Sequence, residues 1–92
     1  MRRLLVTIRT IRQDHGGDYE TAWGRLHALV TGRGANAWRF RHDRDAGRYI
    51  EFVEWKGATD PTAGDAGIAA MKALDAIAPG ATDLWIDAEA TK

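Results

Sequence analysis

The 92-residue chain contains no cysteine. Disulfides, thiolate nucleophiles and cysteine-ligated zinc are therefore excluded. It also lacks net charge, with thirteen basic and thirteen acidic residues. A neutral domain has no electrostatic footprint for nonspecific binding to nucleic acid or to a membrane surface. No apolar run approaches the ~20 residues of a membrane span. Arg9 and Arg12 interrupt the apolar start too early for a secretory leader. A cytoplasmic protein is expected, with neither nucleic acid nor membrane as partner. There is no Walker loop, no dinucleotide glycine fingerprint and no serine nucleophile set. The three histidines have no metal-ligand spacing such as i, i+4, so no metal site is expected.

Tryptophan, in contrast, is plentiful: Trp23, Trp38, Trp55 and Trp85. The chain is expected to form one domain over residues 1–92, able to bury roughly 60–65% of its unfolded surface. The stretch Ala37–Trp55, AWRFRHDRDAGRYIEFVEW, reads as a hairpin of two alternating strands. Asp45-Ala46-Gly47 suggests a three-residue loop, with Gly47 at a left-handed bulge position. That loop sets His42 opposite Ile50, Arg41 opposite Glu51, Phe40 opposite Phe52 and Arg39 opposite Val53. Side chains alternate along a strand, so Trp38, Phe40, His42, Ile50 and Phe52 share one face. Being the more apolar, this face is expected against helices. Arg39, Arg41, Tyr49, Glu51, Val53 and Trp55 share the other, with Arg41 and Glu51 as a cross-strand ion pair.

Leu4–Ile11 alternates as a first strand. Asp18 suits an N-cap for a helix over Tyr19–Thr31, with Trp23, Leu26 and Val30 on its buried stripe beside Ala22 and Leu29. Gly24 inside it suggests close packing, and Gly32 and Gly34 end it. After the loose stretch Lys56–Gly67, a second helix runs from about Asp65 to Ala78. Ile68, Met71, Leu74, Ile77 and Ala78 form its stripe, and Pro79-Gly80 stops it. Thr82–Ala88 closes the chain as a strand, with Leu84 and Ile86 inward and Trp85 outward. The order β-α-β-β-α-β predicts an α+β, ferredoxin-like fold. It is an antiparallel four-stranded sheet in the order 4-1-3-2 with both helices on one face.

The face left uncovered is then expected to carry Leu5, Thr7, Arg9, Ile11, Arg39, Arg41, Tyr49, Glu51, Val53, Trp55, Trp85 and Asp87. A patch that apolar on a small protein marks a contact surface. The expected partner is a second copy packed sheet against sheet, with Arg9, Arg39, Arg41, Tyr49, Glu51, Val53, Trp55 and Trp85 at the seam.

The two strand–helix halves, the YIEFVEW and AWRFR strands and the closing LWID strand resemble the dimeric α/β-barrel superfamily, which includes the antibiotic-biosynthesis monooxygenase-like domains. The resemblance spans nearly the whole chain. It implies a homodimer of ferredoxin-like protomers paired as a barrel, with a small molecule bound between helices and sheet. Its monooxygenase members include cofactor-free oxygenases and haem degraders, which use an asparagine on an early strand with a tryptophan and a histidine or arginine. Here the single asparagine is Asn36, outside the first strand, where Thr7 and Arg9 stand instead. The catalytic set does not carry over, so no catalytic residue is assigned and no cofactor is expected.

Trp23, His27, Trp38 and His42 are the expected lining of a pocket for a flat aromatic or acidic ligand; the plain alternative makes them core aromatics and structural histidines. Ion pairing at a dimer seam is the preferred role for the arginines. The function expected is that of a small homodimeric ligand-binding protein, with cofactor-independent oxygenation as the activity the resemblance implies. The alternative is a noncatalytic interaction module that uses the sheet face.

Overall fold

A computed structural model describes residues 1–91. β1 (Arg2–Thr10) is followed by one 3₁₀ turn (Gln13–His15) and α1 (Gly16–Gly32). The hairpin β2 (Asn36–Arg41) and β3 (Arg48–Lys56) comes next, then α2 (Gly64–Ile77) and β4 (Ala81–Ile86). The strands pair antiparallel in the order β2-β3-β1-β4. This is the ferredoxin-like arrangement read from the sequence. Among the described residues no helix is long and apolar enough to cross a membrane.

The hairpin loop is two residues longer than the sequence suggests, spanning Asp43–Gly47. His42 donates its backbone N–H to Arg48 O at 2.8 Å. The His42 ring fills the loop, its Nδ1 accepting the amides of Arg44 (3.1 Å) and Asp45 (3.0 Å). Asp45 Oδ1 accepts from Gly47 N at 3.1 Å. These side-chain acceptors satisfy a wider loop than a minimal turn needs. Phe40 therefore faces Ile50, Arg39 faces Glu51, and Arg41 faces Tyr49 rather than Glu51. A shift of two keeps every side chain on its own face. Gly47 is not left-handed. It is needed for a close approach: a Cβ there would lie 2.5 Å from Ile11 O, whose own N–H donates to Gly47 O at 2.6 Å.

The helices cover the face opposite to the one expected. Thr7, Arg9, Glu51, Val53 and Trp55 lie beneath them, none more than 6% exposed. The expected seam residues Arg9, Glu51, Val53 and Trp55 are thus buried inside the protomer, and Arg39, Arg41 and Tyr49 share their face. Trp85 stands opposite Leu4 and so joins Trp38 and Phe40 on the bare face, away from Arg9. There Ile8, Trp38, Phe40 and Trp85 are 36–61% exposed. The inversion has a physical cause: Arg9 and Glu51 on the covered face hydrogen-bond each other and groups on the helices, so relative apolarity is a poor guide to burial.

α1 begins at Gly16 without a side-chain cap, placing Asp18 inside its first turn, where a carboxylate favours the helix dipole. Its buried stripe is Tyr19, Ala22, Trp23, Leu26 and Val30, and Gly34 at φ 79° follows its end. α2 is rotated from the expected stripe: Gly67, Ala70 and Leu74 are buried while Ile68 is exposed. A Cβ on Gly67 would collide with the Thr62 carbonyl, so glycine permits that close approach. Gly24 has open space around it and no packing role.

Gly67→Ala is expected to cost about 1–3 kcal/mol in urea unfolding, as overpacking does. Gly24→Ala, at an open helical site, is expected to gain about 0.5–1 kcal/mol.

Candidate functional site

A polar lattice lies between helices and sheet. The Arg9 side chain is wholly buried, and its Nε donates to Glu51 Oε1 at 2.9 Å. Its Nη1 donates to Asp75 Oδ1 at 2.8 Å and to the Ala78 carbonyl at 2.7 Å, tying β1 to the end of α2. The second Glu51 oxygen accepts from the Tyr19 hydroxyl at 2.7 Å, tying β3 to α1. Gly80 packs against Thr7 and the Arg9 stem, where a Cβ would intrude.

Around this lattice sits an aromatic cage. The Tyr19 and Tyr49 rings are 4.8 Å apart. The Arg39 guanidinium lies 5.2 Å from the Tyr19 centroid and 5.3 Å from those of Trp23 and Tyr49, while pairing with Glu20. Such placement over ring faces is favourable for a cation.

Burial works against the charge on Arg9, but the hydrogen bonds and charges of Asp75 and Glu51 outweigh it and hold the guanidinium above its ordinary value. Burial opposes the Arg39 charge likewise, and Glu20 and Tyr19 outweigh it. Burial pushes the Tyr19 hydroxyl up from its ordinary 10.0, and the Glu51 carboxylate it donates to pushes it further. Glu51 is consequently committed as an ion-pair acceptor, which leaves it poorly suited as a general base.

Among the described residues, three buried donors on this side have no acceptor: Arg9 Nη2, Arg39 Nη1 and Trp55 Nε1. Trp55 also walls a groove of about 770 Å³ at the end of β3, together with Arg33, Asn36, Glu54, Lys56 and the loop Thr59–Gly64. A second groove of about 530 Å³ opens at the other end, beside Tyr19, Tyr49 and Gly47. Among the described residues no group of three or more His, Asp or Glu side chains converges as a metal site.

The four expected pocket residues are not brought together. Trp23 is buried under Arg39, with the exposed His27 ring 6.3 Å from it. Trp38 is on the bare face, stacked on Phe52 at 5.2 Å. His42 serves the hairpin loop. The sequence reading missed Tyr19 and Asp75 as partners of the lattice. Arg9 and Glu51, polar residues within otherwise apolar alternating strands, were its visible signal.

Because the folded Tyr19 pKa is raised, its contribution to stability is full below pH 10 and is lost as pH rises from there through the folded value. Alkaline melts of the parent should fall more steeply than those of Tyr19→Phe. Below pH 10 that variant should be less stable by about 1–3 kcal/mol, since Glu51 keeps a buried oxygen without its donor.

No family model and no curated protein matches the chain. Solved structures do. SnoaB, a cofactor-independent oxygenase from Streptomyces nogalater solved in a mutant form, is 17% identical with a TM-score of 0.78, covering 95% of this chain and 93% of its own. A putative antibiotic biosynthesis monooxygenase from Nitrosomonas europaea is 9% identical with a TM-score of 0.78, over 99% and 94%. Another from Bordetella bronchiseptica is 14% identical with a TM-score of 0.72, over 94% and 96%. At these identities the likeness is one of backbone, and it places the chain in the ferredoxin-like fold of the antibiotic-biosynthesis monooxygenase-like proteins.

Proposed function

We propose that this protein is a homodimer that binds a small flat molecule at the helix–sheet groove beside Trp55. The observation that carries this reading is the groove of about 770 Å³ walled by Trp55 together with Arg33, Asp60 and Lys56. The indole offers a flat ring something to lie against, and Arg33, beside it on the wall, offers a polar grip.

The cofactor-independent oxygenation named for SnoaB is the activity proposed for this site. In such chemistry the deprotonated substrate itself supplies electrons to dioxygen. The protein must accept the substrate proton and stabilise the resulting anion. Asp60 lines the groove as the candidate proton acceptor, and Arg33 as an anion-stabilising donor.

Dimerisation is supported by the bare sheet face. Trp38 and Phe40 both pack on Phe52, and with Ile8 and Trp85 they make an apolar surface of the kind a second copy covers.

Tryptophan fluorescence titrated with an aromatic quinol should quench, with oxygen uptake on turnover. Trp55→Ala should weaken binding roughly tenfold, through loss of the aromatic wall. No quenching and no oxygen uptake would remove the ligand-site reading. Sedimentation should give a dimer at micromolar concentration, and Phe40→Glu should yield monomer. A monomeric parent would defeat the interface.

A further inference from the structure

The same groove carries an uneven set of charges. Its two carboxylates have protein donors. Asp60 Oδ1 accepts the Thr62 N–H at 2.8 Å and the Thr62 hydroxyl at 2.7 Å. Glu54 accepts from Asn36 Nδ2 at 3.3 Å and lies 3.7 Å from the guanidinium of Arg2, which is not part of the groove wall. Its two cations differ. Arg33 Nη1 donates to the carbonyls of Pro61 (2.9 Å) and Ala63 (2.7 Å), which are neutral partners. Among the described residues neither Arg33 nor Lys56 pairs with a carboxylate.

Arg33 is held rather than loose. The two carbonyls fix it against the segment between β3 and α2, which is bracketed by left-handed glycines, Gly57 at φ 89° and Gly64 at φ 79°. A Cβ on Gly64 would lie 3.9 Å from Arg33 Nη2. The guanidinium therefore enters the groove pre-oriented, with its fork only half used.

We infer that Arg33, seconded by Lys56, makes this groove selective for aromatic ligands that carry a carboxylate, gripping that group while the ring lies toward Trp55. This rests on the binding role proposed above and adds to it the charge of the ligand. A bidentate guanidinium–carboxylate contact is stronger than a neutral hydrogen bond and cannot be matched by an alcohol of the same shape. Arg33 acts here as a specificity-determining residue, with no part assigned in proton transfer.

Calorimetry with cinnamate and cinnamyl alcohol separates the two claims. The parent should bind cinnamate at least about tenfold more tightly, in line with one charged hydrogen-bonded contact. The gap should narrow in high salt. Arg33→Gln should close it, and Arg33→Lys should keep part of it. Should Arg33→Gln melt early because the Pro61 and Ala63 carbonyls lose their donor, Lys56→Gln, at an exposed site, must still shrink the gap. Equal affinities in the parent, or a gap that survives both Gln variants, would overturn the selectivity and leave the binding role standing. Binding of the quinol without either cinnamyl compound would overturn the selectivity alone. Failure of all three would sink both.

Discussion

Glu51 is the residue on which the interior depends. Its carboxylate sits under the helices and is held by Arg9 from the neighbouring strand and by Tyr19 from α1. Arg9 in turn reaches α2 through Asp75 and the Ala78 carbonyl. Both helices are thus bound to the sheet by one chain of charge-assisted contacts as well as by apolar packing. Such an arrangement stabilises only while complete, because removing one member of a buried pair strands the other at a cost of about 3–5 kcal/mol. The lattice fixes the registry of helices on sheet more than it adds net stability.

This explains how the sequence could be right about the fold and wrong about its inside. Alternation and glycine punctuation were enough to place four strands and two helices, because those signals are local. The hydrophobic stripe of α1 was legible through Trp23, Leu26 and Val30. Which sheet face the helices cover is decided by long-range pairing. The face with Arg9 and Glu51 looked fit for water only when read without Tyr19 and Asp75, which are distant in sequence. Trp38 and His42 were misjudged for related reasons: one belongs to the bare face, and the other completes a loop whose width no turn motif announced.

The candidate groove was less legible still. Its walls come from the end of α1, the start of β2, the end of β3 and the loop before α2. Only Trp55 stood out beforehand, as an expected seam residue. The backbone likeness to monooxygenase-like proteins agrees with the fold and says nothing of these side chains.

β4 is a strand of six residues with β1 on one side and, among the described residues, no strand on the other, and its Leu84 and Ile86 side chains are half exposed. An open rim of backbone amides and carbonyls beside greasy side chains is an invitation to strand addition. A lone subunit would therefore be vulnerable to runaway edge-to-edge stacking into insoluble material as well as to unfolding. Rising concentration would favour such stacking by mass action.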